Sequence, residues 1–347
     1  MKVEKRIDTF EALGEKLVSF KDANVNDNSR LEILIRDGVH YNGWFTEDNV
    51  RNAIVALGDS MINGKIGRWL EPYMDAFVGN ENSGTVGVVL AGNVPAVGFH
   101  DFLCVLMSGN KFLGKMASDD NELMPAIADI LTGIEPTFKD YIEFTEEKLQ
   151  NFDAIIATGS NNTSRYFDYY FGKYPNIIRK NRNGVAVLTG KETLDELKNL
   201  GQDIFQYFGL GCRSVSKLFV PKGYDFSRLF ESLSGYNKIT HHHKYSNNYD
   251  YYRSIFLLNK INHFDNGFLM IKEDISYASP PSVLYFEYYN NLNDLENRLR
   301  NEQEFIQCVV GSPDVLSNAI PFGNAQNPEL WDYADGVDTM AFLLGLK

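Results

Sequence analysis

The chain has 347 residues, of which 44% are hydrophobic and 23% charged, a composition typical of a globular protein with room for two substantial domains. Its formal net charge of -13 argues against general binding to nucleic acid, although a local basic pocket could still hold phosphate groups. The three cysteines have no regular spacing, and neither a signal peptide nor a membrane span is visible. These features exclude a disulfide framework and lead us to expect a cytoplasmic protein.

The predicted elements of the first half alternate between strands and helices. Residues up to about 80 are predicted to be mostly helical, with polar loops near residues 22–28. The apolar run at 85–91 is bounded by glycine, which is typical of a buried parallel strand. The elements that follow are a helix over 97–107, a strand over 111–116, a helix over 122–131, strands over 141–144 and 154–157, a helix over 164–171 and a strand over 185–188.

The second half continues this alternation around Cys212. A helix over 193–207 precedes Cys212 and a strand over 215–220 follows it. The remaining elements are helices over 226–233 and 249–259, strands over 268–271 and 282–288, a helix over 292–300 and a strand over 304–310. This order predicts the α/β class, with a mostly parallel sheet and helices on both faces.

Cys212 is the candidate nucleophile. It lies between Gly211 and Arg213, three residues after Gly209, in the bend between a predicted helix and a predicted strand. Glycine lets the backbone turn sharply here and leaves the sulfur reachable by a substrate. Cys104 and Cys308 instead lie inside apolar runs, so we expect them to pack in the core.

Three further motifs follow or end predicted strands: Asn93-Val-Pro95, Gly109-Asn110 with Lys115 five residues later, and Thr158-Gly159-Ser160. Each motif has an ordinary structural explanation when it is taken alone. Asparagine before proline forms turns, a lysine is usually a solvated surface cation, and Gly-Ser is a common turn and helix cap.

In this order and together with Cys212, the motifs resemble the aldehyde dehydrogenase superfamily. That superfamily has an Asn-x-Pro turn, a Gly-Asn-x(4)-Lys strand, a Thr-Gly-Ser turn, and a cysteine eight residues before a strand valine, here Val220. Within it the chain is most similar to the acyl-CoA reductases, relatives of the fatty acid reductase of bacterial bioluminescence, which the segments 241–252 and 320–339 also resemble. The resemblance implies an aldehyde dehydrogenase-like fold. Residues 1–183 would form the N-terminal helices and a Rossmann-type dinucleotide-binding domain, with 320–347 packing back on it, and 184–319 a second α/β domain carrying the nucleophile.

The stretch 176–184 contains no carboxylate. Classical aldehyde dehydrogenases place a glutamate on the corresponding strand, where it activates water to hydrolyse the thioester. Without a positioned base, the attack of water on the thioester is slower by a factor of about 10²–10⁴. The missing glutamate therefore favours reduction of an activated acyl group, or the reverse reaction, over oxidation to a free acid. A carboxylate arriving from elsewhere in three dimensions is the alternative.

The resemblance also implies roles for the motif residues. Cys212 would attack the carbonyl of an acyl-CoA or another acyl thioester, and the amide of Asn93 would stabilise the oxyanion. Lys115 would lie at the adenosine ribose, where a cation suits a 2′-phosphate and favours NADPH over NADH. Gly159 and Ser160 would hold the pyrophosphate at the start of a helix. The predicted function is NADPH-dependent reduction of an acyl thioester to the aldehyde.

Other functions and partners stay open at this stage. A CoA-acylating short-chain aldehyde dehydrogenase is one alternative, and a non-catalytic aldehyde dehydrogenase-like scaffold is another, since the chain is shorter than full-length members of the superfamily. A homo-oligomer and an acyl-transfer partner protein are both compatible with the sequence. The histidines at 241–243 do not predict a metal site, because adjacent residues on a helix point in different directions.

Overall fold

The structure is a computed structural model that describes residues 1–23, 27–78, 84–159 and 161–346. It divides into two compact units. Unit 1 comprises Met1–Asn181 together with Pro328–Lys347, and unit 2 comprises Arg182–Asn327. Unit 1 is therefore built from two separate stretches of chain. The roles of the units as cofactor domain and catalytic domain stay predictions.

Most of the α-helices of the described residues bury an apolar face, as their sequence periodicity predicts. Several begin at a side chain that accepts a hydrogen bond from the first turn, as Ser29 and Thr46 do. In chain order they are α1 (Val3–Val18), α2 (Arg30–Tyr41), α3 (Glu47–Met61), α4 (Lys65–Leu70), α5 (Met74–Phe77), α6 (Phe99–Met107), α7 (Leu123–Ile134), α8 (Asn161–Phe171), α9 (Leu194–Phe205), α10 (Phe226–Leu233), α11 (His243–Leu258), α12 (Leu292–Asn301) and α13 (Thr339–Leu344).

The strands are short and mostly buried. In chain order they are β1 (Thr85–Val89), β2 (Lys111–Lys115), β3 (Ile142–Thr145), β4 (Ala154–Thr158), β5 (Asn176–Arg179), β6 (Asn183–Val187), β7 (Val215–Pro221), β8 (Phe264–Asp265), β9 (Met270–Glu273), β10 (Val283–Tyr289) and β11 (Ile306–Val310). The pairings among these strands are parallel except for the antiparallel pair β8 and β9. The α/β class with mostly parallel sheets is therefore confirmed.

Unit 1 contains a five-stranded sheet with the order β3-β2-β1-β4-β5. The chain adds strands on one side of β1 and then returns to the other side, so the direction of the strand order reverses between β1 and β4. In open parallel sheets, ligands bind outside the carboxyl ends of the strands at such a reversal. The segments that follow Val89 and Thr158 lie at this edge.

The C-terminal tail completes the core of unit 1. Leu330, Met340 and Leu343 are buried in the same apolar cluster as the N-terminal helices, α6, α7 and the sheet. The tail is also hydrogen-bonded to this unit, because the indole of Trp69 donates to the hydroxyl of Tyr333 at 2.7 Å.

No helix in the described part of the chain is long and apolar enough to cross a membrane.

Unit 2 contains a six-stranded sheet with the order β11-β6-β7-β10-β9-β8. Strand β8 and helix α11 differ from the sequence prediction. The short edge strand β8 was not predicted, because both its residues are exposed. Helix α11 begins at His243 rather than at 249, because the ring nitrogen of His242 caps it by accepting a hydrogen bond from the Tyr245 backbone N–H at 3.4 Å.

Candidate active site

The backbone before Cys212 makes an unusual bend. The sequence predicts a helix to residue 207, but α9 ends at Phe205, and Tyr207, Phe208 and Gly209 take successive left-handed conformations with φ of 54°, 57° and 75°. A left-handed conformation costs a residue other than glycine about 1–2 kcal/mol, so the surroundings must hold the two aromatic residues in place. The bend leads to Cys212, which is exposed and lies three residues before β7.

Aromatic packing holds this bend. Tyr207 and Phe208 are buried, and the Phe208 ring lies against the imidazole of His242, with the ring centroids 4.1 Å apart. A main-chain hydrogen bond from the Leu210 N–H to the Tyr207 carbonyl, 3.1 Å long, closes the turn. The histidine segment singled out in the sequence therefore packs on the bend that precedes Cys212. Among the residues described, no group of three or more His, Cys, Asp or Glu side chains could hold a metal ion.

The other two cysteines differ from Cys212 in burial. Cys104 and Cys308 are buried, as predicted. Burial raises the pKa of Cys104 well above its ordinary value and the pKa of Cys308 to about 11. Both thiols are therefore protonated near neutral pH and make poor nucleophiles. The exposed Cys212 is the cysteine that a substrate can reach.

The loop that carries Cys212 packs closely against neighbouring backbone of unit 2. A Cβ atom added to Gly184 would lie only 2.6 Å from the Arg213 carbonyl oxygen, so this glycine lets β6 approach the loop. The Arg213 guanidinium Nε donates a 2.5 Å hydrogen bond to the carbonyl of Ala325. Gln326 donates to the hydroxyl of Ser214 at 3.1 Å. These contacts fix the loop on the side that follows Cys212.

The turn that carries Asn93 lies at the carboxyl end of β1 in unit 1. Asn93 is exposed, and Ala96 in the same turn has a left-handed φ of 51°. The buried carboxylate of Asp120 holds this turn by accepting a hydrogen bond from the Ala96 N–H at 2.9 Å. Burial raises the pKa of Asp120 to about 6. Asp120 has no local signal in the sequence, because its backbone partner Ala96 lies far from it in the chain.

Lys115 and Gly159 lie at the same edge of the sheet. Lys115 ends β2, in register with Val89 of β1, and its Nζ donates to the Glu146 carbonyl oxygen at 3.0 Å. Gly159 follows β4, and a Cβ added there would lie 2.9 Å from the Phe167 ring of α8. This glycine therefore allows α8 to pack close to the end of β4. Ser160 lies outside the described residues.

The first four residues of the stretch without a carboxylate form the unpredicted strand β5, which ends in a buried ion pair at Arg179. The two terminal nitrogens of Arg179 donate to the two oxygens of Asp101 at 2.6 and 2.8 Å, and one of them also donates to the Thr339 hydroxyl at 3.1 Å. Asp101 is thus a carboxylate brought to this strand from elsewhere in the chain. Both of its oxygens are engaged by the guanidinium, which leaves it poorly placed to take a proton from water.

The fold is that of the aldehyde dehydrogenases. An NAD-dependent aldehyde dehydrogenase from Sinorhizobium meliloti matches with a TM-score of 0.66 and 11% sequence identity over 92% of this chain and 73% of that chain. An NADP-dependent enzyme from E. coli matches with a TM-score of 0.65 and 12% identity over 94% and 76%. Aldehyde dehydrogenase 21 from Physcomitrella patens, in complex with its reaction product succinate, matches with a TM-score of 0.60 and 14% identity over 85% and 71%.

The chain belongs to the acyl-CoA reductase (LuxC) family, whose model matches residues 50–235, more than half of the 347 residues. It is therefore an oxidoreductase, and the family implies acyl reduction or an aldehyde dehydrogenase-like activity with a nicotinamide cofactor. No curated protein matches the sequence significantly.

Proposed function

We propose that this protein reduces an acyl thioester to the aldehyde with NADPH, through an acyl group carried on Cys212. The observation that carries this proposal is the exposed Cys212 at the end of a left-handed bend, in a chain whose other cysteines are buried with raised pKa values. Membership of the acyl-CoA reductase family supports the choice of substrate.

The chemistry uses Cys212 twice. Its thiolate adds to the acyl carbonyl, the bond between the carbonyl carbon and the carrier sulfur breaks, and the carrier thiol leaves. The backbone N–H of Cys212 is the donor we assign to the developing oxyanion. When bound, NADPH supplies the hydride that adds to the carbonyl carbon of the acyl group. The bond between that carbon and the Cys212 sulfur then breaks, which releases the aldehyde and returns the Cys212 thiolate for the next acyl group.

The carboxyl edge of the unit 1 sheet fits a dinucleotide. Gly159 follows β4 at the reversal of strand order, and the start of a helix favours a pyrophosphate there. Lys115 lies two strands away on the same edge, and we assign its ammonium to the 2′-phosphate of NADPH. Its contact with Glu146 is to a neutral carbonyl, so that contact does not compensate the ammonium charge.

Slow hydrolysis of the acyl group is part of the proposal. Strand β5 and the residues after it, up to Gly184, bring no carboxylate of their own, and Asp101 is paired with Arg179. An acyl group on Cys212 should therefore survive long enough to be reduced rather than released as a free acid.

The test is intact-protein mass spectrometry after mixing with acyl-CoA in the absence of NADPH. We expect one added acyl group that persists for minutes and that disappears, with formation of aldehyde, when NADPH is added. Cys212→Ser should form no adduct, because a hydroxyl without a base is a poor nucleophile at neutral pH. The control variant Cys104→Ala, which changes a buried cysteine of unit 1, should form it normally.

Other outcomes would identify other functions. Rapid release of free acid would reveal a hydrolytic base and overturn the proposal. A strong preference for short acyl chains, with faster turnover from aldehyde and CoA, would indicate a CoA-acylating aldehyde dehydrogenase. Binding of NADPH with neither adduct nor turnover would indicate a non-catalytic scaffold.

A further inference from the structure

Asp203 is a buried carboxylate in the last turn of α9, and its side chain holds a distant loop of unit 2. It is fully buried, and its two oxygens accept hydrogen bonds from the backbone N–H groups of Gly323, at 2.7 Å, and Ala325, at 2.8 Å. Gly323 has a left-handed φ of 88°, and a Cβ added to it would lie 3.1 Å from Asn199 of the same helix. The loop around 323–325 is thereby fixed to α9.

The same loop holds the residues that directly follow Cys212. The carbonyl of Ala325 accepts the hydrogen bond from Arg213, and Gln326 donates to Ser214. These contacts form a closed path, which we call the ring. Helix α9 continues through the bend to Cys212 and Arg213. Arg213 is hydrogen-bonded to Ala325, and the N–H of Ala325 is hydrogen-bonded to Asp203 of α9. Cys212 is therefore held from both sides along the chain.

We propose that Asp203 is a positioning residue for Cys212, acting through Ala325 and Arg213 to place the sulfur for attack on the acyl carbonyl. This inference rests on the proposed function. The bend alone does not determine where Cys212 lies, because left-handed conformations of Tyr207 and Phe208 are intrinsically unfavourable and need support. A displacement of a reacting atom by about 1 Å can slow a reaction by about 10²-fold. Small changes in the ring should therefore change the rate at which Cys212 is acylated.

Ionised Asp203 is the form that holds the loop, since each carboxylate oxygen must accept a hydrogen bond from an N–H group. Burial raises the pKa of Asp203 to about 6, and the hydrogen bonds from Gly323 and Ala325 together with the charge of Arg213 oppose that rise. The other titratable groups that interact with it are Tyr236 and Cys308, which are neutral near pH 6. Below about pH 6 the carboxyl is protonated, and the oxygen that carries the proton becomes a poorer acceptor, so one of the two hydrogen bonds that place the loop weakens.

The experiment compares two reactions of the same sulfur. Acylation by acyl-CoA requires correct placement of Cys212, whereas alkylation by iodoacetamide requires mainly the thiolate. Both rates scale with the fraction of thiolate, so their ratio reports position rather than thiol acidity. Asp203→Asn offers only one acceptor to two N–H groups. We expect its ratio to fall by about 10- to 100-fold at pH 7.5, with the circular dichroism spectrum and the binding of NADPH unchanged.

The pH profile and a second variant test the proposal independently. In the wild type the ratio of the acylation rate to the alkylation rate should fall as the pH drops through 6, and in Asp203→Asn this ratio should not change with pH. Arg213→Met cuts the ring at its other end and should lower the ratio in the same direction. The double variant should lose little more than either single variant, because one broken link already opens the ring.

A matched control is Asp225→Asn. Asp225 is an exposed aspartate of the same unit that caps α10 by accepting a hydrogen bond from the Ser227 N–H at 2.9 Å. The ratio of acylation to alkylation rates in Asp225→Asn should equal that of the wild type. Wild-type ratios in both Asp203→Asn and Arg213→Met, or additive losses in the double variant, would overturn the inference. A wild-type protein that is alkylated but never acylated would instead refute the proposed function.

Discussion

The imidazole of His242 lies against the ring of Phe208, with centroids 4.1 Å apart and planes inclined by 30°. His242 also accepts a hydrogen bond from the N–H of Tyr245 as the cap of α11. One side chain therefore joins the start of α11 to the bend before Cys212. This relationship gives the histidine segment a structural role that its sequence did not reveal.

Replacing His242 tests whether this ring contact supports the bend. His242→Ala removes the contact, which is worth about 0.5–1.5 kcal/mol beyond the area it buries, so we expect a lower midpoint of urea unfolding and slower acylation of Cys212. His242→Phe keeps a ring against Phe208 and should retain most of the acylation rate. The exposed neighbour His241 provides the control, and His241→Ala should behave as the wild type does. Equal rates in all three variants would show that the bend does not depend on the contact.

Replacing Lys115 tests the choice of cofactor. If its ammonium binds the 2′-phosphate, Lys115→Ala should weaken the binding of NADPH by roughly ten- to a hundred-fold, since a charge-assisted hydrogen bond contributes about 1.5–3 kcal/mol, and should change the binding of NADH little. Fluorescence titration with each dinucleotide measures both dissociation constants. Lys111→Ala, at the exposed beginning of the same strand, is the matched control. Equal losses for the two dinucleotides would assign Lys115 to the ribose or to the strand itself.

Asp120 should make the stability of unit 1 depend on pH. Its pKa of about 6 in the folded protein lies above its ordinary value of 3.8. The folded state therefore binds a proton at a higher pH than the unfolded chain does, and protonation stabilises the fold as the pH falls through 6. Relative to Asp120→Asn, the free energy of unfolding of the wild type should rise by about 1 kcal/mol between pH 7 and pH 5. Urea unfolding of both proteins at the two pH values measures this effect. Asp203 titrates in the wild type and in the variant alike, so its contribution cancels when the two proteins are compared. If the wild type and Asp120→Asn differed in stability by the same amount at both pH values, the prediction would be contradicted.

The pair formed by Arg179 and Asp101 should be costly to break from one side. Arg179→Met leaves the carboxylate of Asp101 buried without its partner, and removing one member of a buried ion pair typically costs about 3–5 kcal/mol. The double variant Arg179→Met with Asp101→Leu removes both charges and should recover most of that loss. Lys180→Met changes an exposed cation next in the chain and should have little effect. A double variant no more stable than Arg179→Met would show that the packing, rather than the charge, matters here.

Much of the fold could be predicted because its strands are continuous apolar runs and its helices have regular periodicity. The runs at Thr85–Val89 and Ala154–Thr158 are examples of such strands. Strand β5 was missed because it has only four residues, which alternate between half-buried and buried and end in an arginine. An arginine after only two apolar residues suggests a surface loop unless its buried partner is known.

The supports of the candidate site could not be predicted for a different reason. Left-handed Tyr207 and Phe208 contradict the ordinary preference of aromatic residues, so local sequence favours continuing the helix. Asp203 and Asp120 resemble surface carboxylates in the sequence. They become buried acceptors only through backbone groups that lie far away along the chain, such as Ala325. Cys212 could be chosen as a candidate from the sequence because its neighbouring glycines are local, whereas the groups that hold it lie far away along the chain.

The division of unit 1 between the two ends of the described chain has a consequence for synthesis on the ribosome. Leu330, Met340 and Leu343 fill the core of this unit, yet the ribosome makes them after the whole of unit 2. At about 5–20 residues per second, the nascent first unit waits on the order of ten seconds with an open apolar face. Unit 2, being continuous, can complete its own core during this interval. We therefore expect the growing chain to be captured by chaperones through unit 1, and to be released once the tail has docked.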